Sequence, residues 1–228
     1  MESLRDSGKI VGSPASLRDI ADGCGLTSPL SLQSFLKKRG CPYSRCIQLH
    51  IKILHSPTNF TVDEMIEAMR RVYATADIRV VAASGQNLSS SVSSLLLDVD
   101  VGSCSGTTTS EQEDLFDLDD FVGNDDNEIV IYFVRSTVPG SNGCATHPSG
   151  HPGAVIAESA SLWTLAHEVG HVLDLNHISG EDDASGSCVT PDYTRLMTGC
   201  STDNITGTPM LDDNEVETMR SNSFTLSC

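Results

Sequence analysis

The sequence predicts an α+β domain built on a mixed β-sheet, and three observations predict it. Ile47, Leu49, Ile51 and Ile53 alternate with Gln48, His50 and Lys52, the period of a half-buried strand. Val62, Met65, Ile66, Met69 and Val72 then recur at helical spacing, and residues 78–83 form another short apolar run. Strand, helix and strand in that order imply a right-handed crossover with parallel pairing. A chain of 228 residues with 39% apolar residues is large enough to bury a core.

Taken in order, the elements divide the chain. Ser13-Pro14 and Ser28-Pro29 place a capping hydroxyl before a proline suited to a first helical turn, so short helices are expected over 14–22 and 29–39. Residues 1–46 therefore read as an N-terminal helical segment and 47–228 as the main domain. Thr61 caps the helix that opens at Val62. Residues 84–127 are an insertion rich in Ser, Thr, Gly and acids, with an apolar strand expected at 95–101 and an acidic helix at 110–121. Residues 128–134, EIVIYFV, fit a central strand covered on both faces. A short strand at 153–157 and a helix over 162–173 follow.

Charge and cysteines narrow the function classes. The net charge is −17, and residues 80–228 hold only 3 of the 14 Lys and Arg but 23 of the 31 acids. A nucleic-acid partner is excluded by that balance, because phosphate binding needs clustered cations. No apolar run approaches the roughly 18 residues of a membrane span, and the first residues lack the apolar stretch of a secretory signal. From 98 to 128 there are 11 acids and no Lys or Arg, which reads either as a solvated face or as hard oxygen ligands for Ca2+, without EF-hand spacing. Eight cysteines stand at 24, 41, 46, 104, 144, 188, 200 and 228 with no C-x2-C pair, which disfavours a zinc ribbon and points to disulfides in a secreted protein. Asn59, Asn87 and Asn204 open N-x-S/T sequons.

The chemistry concentrates on one helix. His167-Glu168-Val169-Gly170-His171 places two imidazoles four residues apart on one helical face, so both reach a single cation. Glu168, beside the first, is placed to address a water on that cation. A sharp turn after the helix would bring in His177, and three neutral imidazoles with one open position describe a catalytic zinc site. His147 and His151, in a Gly- and Pro-rich loop, read as exposed loop residues or as a second zinc pair. His50 and His55 are further candidates.

These residues resemble the metzincin clan of zinc endopeptidases, close to its matrixin and pappalysin groups, whose signature is H-E-x-x-H-x-x-G-x-x-H with a downstream methionine turn. The resemblance rests on His167, Glu168, His171 and His177, with Met197 as the candidate turn. It implies a twisted five-stranded mixed sheet with an antiparallel edge strand formed by Gly143, Cys144, Ala145 and Thr146, an active-site helix, and a last helix over 212–219. It also implies one catalytic Zn2+, Glu168 as general base and acid in peptide-bond hydrolysis, and Met197 as an apolar floor beneath the metal. A protein or peptide substrate and a monomer are expected, with a catalytically silent, protease-like binding module as the second reading. Cys24 within 1–46 reads as a metal-blocking latch of a pro-segment or as a disulfide partner. Cys188 and Cys200 flank the turn and are expected to pair. Tyr193 reads as packing or rim.

Asp174 departs from the family, which has glycine there. The corner is expected to turn with positive φ, which aspartate tolerates better than most residues. Were the corner built differently, Asp183 or Glu181 could replace His177 as the third ligand.

Overall fold

The computed structural model describes residues 43–88, 96–118, 128–181 and 187–228. The expected helices at 14–22 and 29–39, the latch residue Cys24 and Asp183 lie outside the described residues.

The core is one twisted sheet between helices and an insertion. β1 (Arg45–Ile53) begins two residues ahead of the expected start and pairs in parallel with β2 (Ile78–Asn87), as the crossover rule requires. The connecting helix α1 (Val62–Ala74) carries the expected cap: Thr61 Oγ1 accepts from the Glu64 amide at 3.2 Å, and the Glu64 carboxylate accepts from the Thr61 amide at 2.7 Å. β4 (Ile129–Val134) pairs in parallel with β1, and β7 (Gly153–Ala157) in parallel with β4. β6 (Gly143–Cys144) closes this edge antiparallel to β7, giving the order β2-β1-β4-β7-β6. The mixed five-stranded path with an antiparallel edge is thus present, although the edge ladder stops at Cys144 and leaves out Ala145 and Thr146.

Two short strands, β5 (Ser136–Val138) and β8 (Leu226–Ser227), were not expected, and a third is shorter than expected. β3 (Asp98–Asp100), inside the predicted strand 95–101, pairs with β5 in a separate two-stranded sheet. β8 pairs antiparallel with the start of β1. Strands of two or three residues show too few alternations to be read from sequence. The acidic helix is α2 (Ser110–Phe116), shorter than expected and capped by Thr109 with Gln112. The last helix is α4 (Asp213–Ser221), capped by Asp212.

Every residue of β4 is buried, and the two faces of the sheet explain why. On one face Ile129, Ile131 and Phe133 meet Ile47, Leu49 and Ile51 under α1 and under α3 (Thr164–Val172). On the other, Val130, Tyr132 and Val134 pack against Leu115, Phe116, Val99 and Val101 of the insertion. Residues 84–127 therefore supply a second small core. Tyr73 of α1, fully buried, donates its hydroxyl to the Ala166 carbonyl of α3 at 2.9 Å, which fixes α3 against the sheet.

All six described cysteines are bridged: Cys46–Cys228, Cys104–Cys144 and Cys188–Cys200. The last is the expected pair. Three bridges are consistent with an extracellular, oxidising setting. Among the described residues no helix is long and apolar enough to cross a membrane.

Candidate metal centre

α3 delivers two of the three histidines because its period is helical. His167 and His171 stand one turn apart on the face turned to the cleft, while Leu165, Ala166, Val169 and Val172 anchor the opposite side in the core. The chain then turns at Asp174, whose φ of 67° lies in the left-handed region. That is the positive φ expected of the corner leading to His177. The Asp174 carboxylate accepts from Asn222 Nδ2 at 2.7 Å, so the side chain ties the corner to the end of α4 while occupying a backbone region that costs most residues about 1 kcal/mol.

The turn brings the third ring in. The Nε2 atoms of His167, His171 and His177 lie 3.1, 3.2 and 3.0 Å from one another. A tetrahedral ion bonded to imidazoles at 2.0–2.1 Å would hold such nitrogens about 3.3–3.4 Å apart, so the triangle fits a zinc-sized cation with little adjustment. The tautomers agree. His167 Nδ1 faces the Leu196 carbonyl at 2.8 Å and His171 Nδ1 faces the Leu175 carbonyl at 2.7 Å. A carbonyl only accepts, so both Nδ1 atoms carry the proton and both Nε2 atoms present bare lone pairs to the same point. Lone pairs facing one another at this range repel unless a cation lies between them. Burial and the neighbouring imidazoles depress His167 to about 3, and burial depresses His171 to about 4, so both rings are neutral ligands throughout the physiological range.

Glu168 lines the same cleft, and burial raises its carboxyl to about 8. A divalent cation nearby opposes that shift and favours the carboxylate. Its carboxyl group is packed directly beneath the edge strand: a Cβ on Gly143 would come within 2.7–2.9 Å of Glu168 side-chain atoms. Met197 is fully buried and abuts α3, since a Cβ on Gly170 would meet its Sδ at 2.7 Å. Glycine at 143 and 170 follows from these two close approaches.

The cleft holds about 1150 Å³ and runs between the edge segment 140–147 and the segment 198–203. Ala145 and Thr146, though outside the ladder, line it with Gly143 and His147. Cys104 brings the insertion to its rim, bonded to Cys144 of the edge strand. At one end Asn142 Nδ2 donates to Asp203 Oδ1 at 2.9 Å, joining the two walls.

The fold can now be set beside known ones. Metalloproteinase-II from Bacteroides fragilis superposes with a TM-score of 0.50 at 16% identity, covering 78% of this chain and 53% of that one. Archaemetzincin from Methanopyrus kandleri gives a TM-score of 0.46 at 13% identity, over 76% of this chain and 93% of that one. Comparison with protein-family models gives no match, and comparison with curated proteins gives none either. At these identities the likeness is one of fold, of the zincin-like metalloprotease kind. The chain spans about half the length of the Bacteroides protein.

Other sequence candidates lie apart from the triad. Glu181 is not a metal-facing acid: it is buried and accepts from the amides of Asp192 and Gly199, both at 2.6 Å, and from Thr198 Oγ1 at 3.1 Å. His50 bonds Ser84 within the sheet and His55 pairs with Glu158. Tyr193 does not line the cleft. Among the described residues the three histidines are the only group of metal-ligating side chains close enough to share an ion, and Asp98 of the acidic run is instead paired with Arg135. Residues 119–127 of that run lie outside the described residues. Asn142 and Asp203 escaped sequence reading, as did the contacts that Gly143 makes with Glu168 and Glu181 with Gly199, because the partners lie 18 to 61 residues apart and nothing local marks them.

Proposed function

We propose that this protein is a zinc-dependent endopeptidase that hydrolyses peptide bonds in protein substrates. The observation that carries the proposal is the convergence of three Nε2 atoms within 3.2 Å, with the Nδ1 protons of His167 and His171 directed away to backbone carbonyls. Three histidines leave a fourth position open, which distinguishes a catalytic from a structural zinc. A likeness in fold to a metalloproteinase supports the reading.

His167, His171 and His177 would hold the ion, which when bound supplies a Lewis acid that activates water and polarises the scissile carbonyl. An extended peptide lies along the edge segment Gly143, Cys144, Ala145 and Thr146, held by main-chain hydrogen bonds. A Glu168 carboxylate oxygen takes the proton of the attacking water and returns it to the leaving amine nitrogen. The packing of Glu168 against Gly143 of that edge segment supports this role. Met197 forms the apolar floor below the three rings.

The test is cleavage of casein and of a quenched-peptide library by zinc-loaded protein. Wild type is expected to cleave, and Glu168→Ala to retain zinc while losing at least about 1000-fold in rate. Stoichiometric zinc with no cleavage by wild type would replace this reading with a silent binding module.

A further inference from the structure

Resting on the zinc reading, the geometry points to a further residue in the metal site: we propose that Glu181 is the positioning residue for His177. His177 lies beyond the end of α3 on an exposed stretch, whereas His167 and His171 stand on the helix itself.

What lies beneath the ring is Gly199. A Cβ there would approach His177 Nδ1, Cγ and Cβ at 3.2, 3.3 and 3.4 Å, so the imidazole rests almost against the backbone of the returning segment. That segment is held from below by Glu181. One carboxylate oxygen accepts from the Gly199 amide at 2.6 Å, and the other from Thr198 Oγ1 at 3.1 Å and the Asp192 amide at 2.6 Å. The main chain of Glu181 adds to the fastening, its carbonyl accepting from the Val189 amide at 2.8 Å and the Thr190 amide at 3.3 Å.

Glu181 has no Lys or Arg in ion-pair range among the described residues, so these N–H and O–H donors are what balance its buried charge. Hydrogen bonds of that kind are short and directional, and they fix what they hold. A carboxylate four residues from a ligand, with its oxygens bonded to the segment on which the ligand's ring rests, does the work of an outer-sphere partner through the backbone rather than by touching the imidazole. The Ile178 amide donates to the Met197 carbonyl at 3.0 Å, so the segment carrying His177 is also joined directly to the returning segment beneath it. The Cys188–Cys200 bridge closes the same loop covalently, which keeps the loop in place when one hydrogen-bonding group is altered.

The experiment measures zinc affinity by chelator competition, and the visible absorption of the cobalt(II)-substituted protein, for the full chain and its variants. Glu181→Gln presents an amide NH2 where donors point, and is expected to weaken zinc binding by about 10- to 100-fold and to change the cobalt spectrum. Gly199→Ala presses on the ring from below without removing Glu181, and is expected to do the same. In a His177→Ala background Glu181→Gln should change zinc affinity less than about twofold, because its effect passes through the missing ring.

Wild-type affinity and an unchanged cobalt spectrum in Glu181→Gln would overturn the proposal, as would a full additional loss in the His177→Ala background. Should Glu181→Gln fail to fold by circular dichroism, normal affinity in Gly199→Ala overturns it instead. A wild type that binds no zinc is a different failure, one that removes the metal reading itself.

Discussion

The space beside Gly143 is already filled by the Glu168 carboxyl, at 2.7–2.9 Å from where a Cβ would stand. Both partners are constrained there, since Glu168 is rooted in a buried helix and Gly143 in the sheet edge. Gly143→Ala is therefore expected to displace the proton acceptor rather than the metal, leaving zinc content intact and lowering kcat by about 100-fold. Steady-state kinetics with metal analysis checks this, and unchanged kcat would show that the contact does not position Glu168. The meeting of His167 and His171 was legible from their spacing, because i and i+4 on a helix face one another by geometry, and His177 was expected through a sharp turn after the helix. Even the strained corner was legible, with Asp174 at φ 67° where the motif has glycine. The contacts of Gly143 with Glu168 and of Glu181 with Gly199 were not, because they join distant segments.

At the scale of elements, long regular ones were readable and short ones were not. β1, α1 and α3 show a clear period and β4 an unbroken apolar run, and α1 carries its capping box in four consecutive residues, Thr61 to Glu64. β8 has two residues and gains its place from its pairing with Arg45 and Cys46 and from the Cys46–Cys228 bridge. Beyond the Cys188–Cys200 pair, connectivity was illegible for a different reason: eight cysteines allow 105 pairings, and the folded chain selects among them. That bridge spans 182 residues and joins the first described strand to the last residue. Replacing both cysteines by alanine is expected to reduce stability by about 2–4 kcal/mol in denaturant unfolding. Zinc affinity should remain that of wild type, because the bridge lies at the start of β1, away from the cleft lining. A loss of zinc in parallel would mean that the sheet end and the metal site unfold as one unit.

For the whole molecule, the same buried groups that suit a metal make the metal-free protein sensitive to pH. Folding depresses His167 to about 3 and His171 to about 4, so below about pH 6.5 the unfolded chain binds more protons at these two rings and stability falls as pH falls. Glu168, raised to about 8 by burial, acts in the other direction: above about pH 4.5 the folded chain holds the extra proton, so stability falls as pH rises towards 8. Between about 4.5 and 6.5 two rings oppose one carboxyl, and above 6.5 only the carboxyl remains. The chelated protein is therefore expected to be most stable near pH 6.5, and zinc should remove the fall above that pH by holding the carboxyl ionised while leaving the fall on the acid side, where the unfolded rings still take up protons. Urea midpoints across pH 5–8, with and without zinc, check this, and a metal-free optimum at pH 8 would contradict the burial of Glu168. The central claim is coordination of one ion by three imidazoles with a place left for solvent. X-ray absorption on stoichiometrically loaded protein tests it most directly. The account predicts one zinc per chain with three nitrogen neighbours near 2.0–2.1 Å and one further light atom, reduced to two imidazoles in His177→Ala. Less than stoichiometric metal, or a closed shell of four protein ligands, would contradict it.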